Sequence, residues 1–123
     1  MASYPAGFIV NQVGYTPSSV AVTQQTNRAT GVTIHALSGA ITTHNASLAA
    51  EASAVFTVTN NQVAIGDVIV LSIRSGMVAL NTSVTVTTVA NGSFAITVCN
   101  GNVAAGTAET GSIIINFAVI KGG

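Results

Sequence analysis

Three carboxylates, Glu51, Asp67 and Glu109, are the side chains of this sequence that could act as general acids or bases. Acid–base catalysis needs titratable groups that meet in a cleft, and these three are far apart in sequence with none paired locally. Asp67 follows Gly66 at the start of a predicted strand, where we expect it to stabilise a turn. The chain has no nucleophile elbow, phosphate-binding loop or glycine-rich dinucleotide fingerprint. We therefore predict no catalytic residues and do not expect an enzyme.

The two histidines, His35 and His44, fall on neighbouring predicted strands. Together with Glu51 or Asp67 they would offer the ligand types of a metal site, but their spacing does not support one. We expect two hydrogen-bonded or solvent-facing histidines, no metal and no cofactor. Histidines of three-fold-related subunits meeting on an axis stay an open alternative. The one cysteine, Cys99, excludes an intramolecular disulfide and is expected to be a small, buried or half-buried side chain.

Full charges are scarce along the whole chain. Charged residues make up 5% of the sequence and hydrophobic residues 49%, with a formal net charge of zero; a typical soluble domain is about 25% charged. Solubility normally depends on a charged surface, so we predict a homo-oligomer whose subunit contacts hide much of this one. Three cations matched by three anions cannot neutralise a phosphate backbone, and no basic amphipathic helix is present. We expect neither a nucleic acid nor a membrane as partner.

Residue types and turn spacing predict an all-β fold. Val, Ile and Thr make up about a third of the chain, and such β-branched residues favour strands. From Val20 onward, seven to eight short strands alternate with turn signals every 8 to 12 residues or so, and no segment has a convincing helical pattern. The sequence indicates an antiparallel β-sandwich or jelly-roll-like barrel over residues 20–123, preceded by an arm of residues 1–19.

Five segments have the clearest strand pattern: Ser53–Thr59, Asp67–Arg74, Thr82–Ala90, Ser93–Cys99 and Ser112–Lys121. Asp67–Arg74 and Ser112–Lys121 are apolar on both faces, which is typical of strands that are covered on two sides. We interpret the last as a central strand, or as one whose outer face meets another subunit. On that outer face, Ile114 and Ile120 are predicted to contact a partner.

The first part of the predicted domain is patterned less clearly. Val20–Thr26, Thr30–His35 and Ala40–Thr43 are predicted short strands, and Ser38-Gly39 is a predicted turn. The alanine-rich residues 45–52 form either one helical turn capped by Asn45 or a loop anchored by Leu48.

Asn91-Gly92 predicts a hairpin between two of the strands. A two-residue loop would leave the apolar side chains of the two strands on opposite faces, because a slip of one residue reverses every side chain. We therefore favour a three-residue loop, residues 90–92 with Gly92 left-handed, which pairs Val84 with Val98 and Val86 with Ile96.

Residues 1–19 differ from the rest of the chain. They carry no charged side chain and contain both prolines and several apolar and aromatic residues. An unattached tail is usually polar, whereas an apolar arm is more often docked on its own domain, on a neighbouring subunit or on another protein. We predict that the arm takes part in an assembly interface through Tyr4, Phe8, Ile9, Val10 and Tyr15.

Targeting signals are not evident in the sequence. No basic stretch followed by an apolar run opens the chain, and no apolar run approaches the ~20 residues that a membrane-spanning helix needs. We expect a protein that stays in the cytoplasm of the cell that makes it, or that leaves by lysis.

Several segments, taken in order, carry a family resemblance: VTQQTNRATGVTI (22–34), SGAIT (38–42), FTVTN (56–60), DVIV (67–70) and NFAVIKG (116–122). Together they resemble small β proteins that tailed phages and prophages encode among their virion structural genes. The resemblance covers residues from about 20 to 122 and leaves the arm outside.

The resemblance implies a virion component made in the cytoplasm of a bacterial host. The role it favours is a capsid decoration, or cement, protein: a homotrimer that binds the major capsid protein at the surface of an icosahedral head. The alternative is a head-fibre or tail-associated module that recognises a host receptor or glycan. Trp is absent and both tyrosines lie in the arm, so a glycan site would have to be built from Asn, Thr and backbone groups. The resemblance implies no catalytic residues.

Overall fold

The computed structural model describes residues 20–122, which form eight β-strands and no helix. The strands are β1 (Ala21–Thr23), β2 (Val32–Thr33), β3 (Ser38–Thr42), β4 (Ser53–Thr59), β5 (Val68–Ser75), β6 (Thr82–Ala90), β7 (Ser93–Asn100) and β8 (Ile114–Ile120). The prediction of an all-β fold is confirmed. The arm, residues 1–19, lies outside the described residues.

The strands form two four-stranded sheets, sheet A in the order β1-β3-β8-β5 and sheet B in the order β2-β4-β7-β6. The predicted antiparallel pairing is wrong at two places, since β1–β3 and β2–β4 are parallel and both sheets are therefore mixed. The connections explain this: the chain alternates between the sheets from β1 to β4, so no tight hairpin reverses it between these neighbours. The sheets are open, and the described strands do not close into a barrel.

The two sheets share one hydrophobic core. Strand β8 lies between β3 and β5, which confirms the predicted central strand, and it contributes Ile115, Phe117 and Val119 to this core. The rings of Phe117 in sheet A and Phe94 in sheet B lie 5.7 Å apart between centroids. Burial of each such side chain stabilises the fold by about 1.5 to 3 kcal/mol, so this contact helps hold the two sheets together.

The β6–β7 hairpin has the predicted faces but a different turn. Val84 pairs with Val98 as predicted, and Gly92 is left-handed, with φ of 84°. The loop, however, has two residues, because Ala90 pairs with Ser93. The extra residue is a bulge in β6 at position 87, between the paired Val86 and Thr88. A two-residue loop alone would put the apolar side chains of the two strands on opposite faces, and the bulge restores the register that keeps them inside.

The shorter strands of the first part differ from the prediction. The predicted turn at Ser38-Gly39 lies within β3, where Gly39 packs so closely that an added Cβ would lie 2.9 Å from Ile34 Cδ1. The predicted strand at residues 20–26 is shorter because the Gln24 amide donates hydrogen bonds to the carbonyls of Arg28 and Thr30, which closes a loop. Residues 45–52 form a loop whose Leu48 is buried, the second of the two alternatives.

Candidate functional site

The two histidines each make a local contact with the backbone. Nδ1 of His35 accepts the N–H of Asn61 at 2.9 Å, and Nδ1 of His44 accepts the N–H of Ala46 at 3.0 Å. Among residues 20–122, no three His, Cys, Asp or Glu side chains lie close enough together to share a metal ion. Cys99 is free and half-buried. Both imidazoles therefore hydrogen-bond to the backbone of nearby loops.

Half of the charged side chains are inside the protein. All six charged residues fall within the described part of the chain, and Arg28, Asp67 and Glu109 are buried there. Lys121 forms an ion pair with Asp67 at 2.5 Å while its own side chain stays half exposed. Only Glu51, Arg74 and Lys121 are left to charge the surface, so the surface is less charged than the composition alone indicates.

Glu109 is fully buried, and its carboxylate fastens a loop. Its oxygens accept the backbone N–H groups of Val78 (2.9 Å), Ala79 (3.0 Å) and Gly111 (2.8 Å) and the hydroxyl of Thr82 (2.6 Å). Burial raises the pKa of this carboxyl, but the hydrogen bonds from Thr82 and the three N–H groups outweigh it, and the pKa is lowered below its ordinary value. Residues 76–82 are thus tied to the interior through one charged group.

Arg28 fastens the opposite side of the same region. Its guanidinium donates to the carbonyls of Ala46, Glu109 (3.2 Å) and Gly111 (2.9 Å) and to the hydroxyl of Thr43 (3.2 Å). Burial lowers the pKa of Arg28, and the charge of Glu109 opposes that effect. In the described residues, every buried side-chain nitrogen or oxygen has a hydrogen-bond partner. The buried charges of Arg28 and Glu109 therefore hold loops in place through hydrogen bonds to the backbone.

The fastened loop presents an apolar surface at one end of the molecule. Leu80 is 84% exposed and Val103, on the next loop, is 76% exposed. The amide of Asn81 donates to the side-chain oxygen of Asn102 at 2.8 Å, which joins these two loops. Together with the half-exposed Val78, Leu80 and Val103 form what we call the loop-end surface. Large exposed apolar side chains on a fixed loop are typical of contact sites.

The sequence interpretation missed the loop-end surface. Its signal was present, since Val78 and Leu80 lie in an apolar stretch outside every predicted strand, between Gly76 and Thr82. Gly76 has φ of +94°, and an added Cβ there would lie 2.0 Å from the carbonyl oxygen of Ser112. This close approach fixes the start of the loop as Glu109 fixes its middle.

The predicted contact residues lie in two different parts of the chain. Ile114 and Ile120 lie on the outer face of sheet A, at opposite ends of β8, and Ile120 is half exposed while Ile114 is partly buried. Ile120 pairs with Val68, and Val70 pairs with Ala118. The outer face therefore carries an apolar group around Ile120. The remaining predicted residues, Tyr4, Phe8, Ile9, Val10 and Tyr15, lie outside the described residues.

The outer face of sheet B is rich in threonine. It bears a shallow hollow of about 240 Å³ next to the β6–β7 turn, lined by Thr57, Thr88, Ala90, Ser93, Phe94 and Ala95. The hollow offers hydroxyl and backbone groups and no charged side chain.

Comparison of the chain with protein-family models, with curated proteins and with solved structures finds no match. No helix that is long and apolar enough to cross a membrane occurs among residues 20–122.

Proposed function

We propose that this chain is a structural protein of a phage virion, a homotrimeric capsid decoration protein that binds and stabilises the icosahedral head shell. The family resemblance of residues 20–122 supports the virion role. We further infer that sheets A and B form a β-sandwich that carries the contact surfaces. In this proposal the protein performs no reaction, and its partners are further copies of itself and the major capsid protein.

The observation that carries the proposal is the burial of Arg28, Asp67 and Glu109. Three charged groups remain for a surface that also exposes several large aliphatic side chains. A monomer of this kind would meet water with few charges to keep copies apart. Contacts with other copies, or with a larger shell, remove that surface from water and so favour the assembled state.

We assign the shell contact to the loop-end surface. Glu109 and the close approach at Gly76 hold the loop before any partner binds. A contact that is fixed in advance loses little conformational entropy on binding. Leu80 and Val103 then contribute apolar area that is already presented to the partner.

The oligomer is tested by light scattering after size exclusion, at micromolar concentration in plain buffer. We expect a single species with the mass of three copies of the 12.2 kDa chain. A stable monomer under these conditions would contradict the proposal, because the uncharged surface would then be tolerated in water without partners.

The shell contact is tested by co-sedimentation of the purified protein with head shells of the encoding phage that lack it. Leu80→Asp is expected to reduce binding at least tenfold, because it places a charge in an apolar contact. Ile65→Asp is the matched control. Ile65 is 68% exposed, and its N–H donates to the side chain of Asn91 in the β6–β7 turn, at the end of β6 opposite to Leu80. Failure of the unaltered protein to bind shells contradicts the decoration role. Loss on Ile65→Asp alone contradicts only the choice of surface.

A second candidate function, recognition of a host receptor or glycan, is favoured by the hollow on sheet B. Thr57, Thr88 and Ser93 place hydroxyl groups around it, as a sugar site without aromatic platforms requires. Under this alternative, purified protein competes with phage for adsorption to cells, and Thr57→Val weakens the competition. Under the decoration proposal it does not compete.

A further inference from the structure

The outer face of sheet A has an uncovered apolar group at one end. Val68, Val70 and Ile120 are each about half exposed there. The strand register sets them in two adjacent rows, Ser38–Ala118–Val70 and then Ile120–Val68. These paired positions contain no charged side chain. The sequence of β5 is apolar on both faces, a pattern of strands covered on two sides, yet among the described residues nothing covers its outer face.

The described chain begins beside this group. The carbonyl of Val20 accepts the N–H of Ala40 at 3.1 Å, and Ala21 pairs with Ala40. This parallel register puts Val20 opposite Gly39, one position from the row of Ser38. The described chain therefore begins at Val20, one residue away from the level of Val70, which lies on β5 at the other edge of sheet A.

The distance is short compared with the segment that precedes Val20. Strands β1 and β5 are three inter-strand spacings apart, or about 15 Å at 4.7–4.9 Å each. Nineteen residues in extended form reach up to about 60 Å. Pro17, Ser18 and Ser19 come directly before Val20, and these residue types favour the turn that a reversal over the sheet needs.

The composition of residues 1–19 also suits contact with an apolar face. Residues 1–19 carry no charged side chain and include Tyr4, Phe8, Ile9, Val10 and Tyr15. Because the segment is tethered to the sheet, its effective concentration at the outer face is in the millimolar range. At micromolar protein concentration the segment of the same chain therefore binds there ahead of the segment of a copy that is free in solution, and the isotope test below separates it from the segment of a neighbouring subunit.

We propose that residues 1–19 fold back across the outer face of sheet A of their own chain and cover Val68, Val70 and Ile120. The segment buries there the apolar side chains that the composition shows it to carry. This intramolecular contact is separate from the loop-end surface, and it stands whether or not the protein decorates a shell.

The test places a photo-crosslinking residue, benzoylphenylalanine, at position 70 of the full chain. The matched control places it at position 55, because Val55 is 51% exposed and Val70 47%, and Val55 lies on the outer face of sheet B. Equal amounts of unlabelled and ¹⁵N-labelled protein are unfolded in urea, mixed and refolded together, so that every assembly draws its copies from both. The refolded protein is illuminated, digested with chymotrypsin and analysed by mass spectrometry. We expect crosslinks from position 70 to peptides of residues 1–19 of the same isotope, and at least fivefold fewer from position 55.

Two crosslinking results would overturn the proposal. One is equal crosslinking to residues 1–19 from positions 70 and 55, or none from either. The other is crosslinking from position 70 in which about half of the products join different isotopes, as random pairing between copies gives; this would place the segment on a neighbouring copy. Neither result changes the shell-binding test, so the two proposals fail separately.

Deletion of residues 1–16 provides an independent measurement. We expect the β-sheet circular dichroism spectrum to remain and the fluorescence of the apolar dye ANS to rise severalfold, because Val68, Val70 and Ile120 lose their cover. Adding Val70→Asp to the deletion should remove most of that rise. A folded deletion variant with unchanged dye fluorescence contradicts the proposal. If the deletion variant does not fold, the crosslinks decide.

Discussion

Two carboxylates, Glu109 and Asp67, each fasten a loop to the framework, but in different surroundings. Glu109 is fully buried, and its direct partners are three backbone N–H groups and a hydroxyl. Asp67 is reached by the half-exposed Lys121 and by the N–H groups of Ala64 and Gly122. We call each carboxylate with its hydrogen-bond donors an anchor. The Glu109 anchor consists of fixed dipoles in the interior, and the Asp67 anchor depends in part on a flexible cation.

The difference between the donors of Glu109 and those of Asp67 indicates which part of the protein is more rigid. The dipoles around Glu109 are backbone groups of residues 78, 79 and 111, so holding the charge means holding the chain. Lys121 can move into water and leave Asp67 with backbone donors only. We infer that the end of the molecule that displays Leu80 is the stiffer one, as a preformed contact surface requires.

The largest effect is expected from Glu109→Gln. Whichever carboxylate oxygen becomes the amide nitrogen, it faces two N–H donors, either those of Val78 and Gly111 or those of Val78 and Ala79. Buried donors left without acceptors, and Arg28 left without a nearby anion, should reduce the free energy of unfolding by roughly 3 to 5 kcal/mol. Urea unfolding followed by circular dichroism measures this.

Two controls belong to this prediction. Asp67→Asn is expected to lower the free energy of unfolding by clearly less, because Lys121 is half exposed and water replaces its partner. Glu51→Gln, at an exposed carboxylate, should have almost no effect. Equal losses for Glu109→Gln and Asp67→Asn would show that the two anchors do not differ in the way proposed.

A glycine beside each anchor allows the same comparison through packing. An added Cβ at Gly111 would lie 1.8 Å from the carbonyl oxygen of Gly76, and one at Gly122 would lie 1.7 Å from that of Gly66. Gly111 is buried between fixed segments, whereas Gly122 is exposed and follows the last strand. We expect Gly111→Ala to cost about 3 kcal/mol, near the top of the range for overpacking, and Gly122→Ala under about 1 kcal/mol, since the chain there can shift.

Thermal unfolding measures both alanine variants. The two added Cβ atoms would clash at nearly the same distance, 1.8 Å and 1.7 Å. The ratio of the two losses in unfolding free energy therefore shows how far the backbone of each region can shift. A Gly122→Ala variant as unstable as Gly111→Ala would place the same rigidity at both ends and contradict the comparison.

The sequence predicted the anchors unequally, for a physical reason. Asp67 was expected to stabilise a turn, and its carboxylate does accept the N–H of Ala64, three residues before it. Glu109 has one local donor, the N–H of Gly111 two residues later, but its other donors, Val78, Ala79 and Thr82, are 27 to 31 residues away. Local turn chemistry is visible in neighbouring residue types, whereas a buried charge that meets distant backbone groups leaves no pattern at its own position.

The strands show the same limit. β4 and β6 have their predicted bounds, because each is long and alternates clearly. Ser38-Gly39 was wrongly predicted as a turn. The glycine is needed there because the ring of the distant Phe117 packs against it, 3.1 Å from an added Cβ. The parallel pairing of β1 with β3 depends on which sheet each strand joins. Local periodicity cannot specify that choice.

Acid should weaken both anchors. The pKa of Asp67 is lowered to about 2, mainly by the hydrogen bond from Lys121, and that of Glu109 is lowered by its four donors. A carboxyl whose pKa is lower in the folded state adds stability above its unfolded pKa of about 4, and loses it as the pH falls toward the folded value. We expect the free energy of unfolding to fall between pH 4 and pH 2, by less in Asp67→Asn and in Glu109→Gln.

Urea unfolding at a series of pH values from 6 to 2 measures this slope for each variant. If the slope belonged to neither anchor, both variants would keep the full acid dependence. A slope that disappears in Asp67→Asn alone would assign the pH dependence to the Lys121 pair and leave Glu109 ionised throughout the range.

Substitutions of the third carboxylate, Glu51, distinguish the effect of its charge from the effect of its backbone conformation, and we expect the smallest change in stability there. Glu51 is exposed and left-handed, with φ of 67°, and its carboxylate fastens nothing in residues 20–122. Glu51→Gly removes about 1 to 2 kcal/mol of left-handed strain and adds about 0.4 to 1 kcal/mol of unfolded-state entropy, so we expect a gain of about 0.5 kcal/mol in urea unfolding. Glu51→Ala keeps the Cβ and the strain, so it should give no gain. An equal gain in both variants would mean that the negative charge of Glu51, and not its left-handed backbone, lowers the free energy of unfolding. A carboxylate that accepts no hydrogen bond from residues 20–122 would then destabilise this protein.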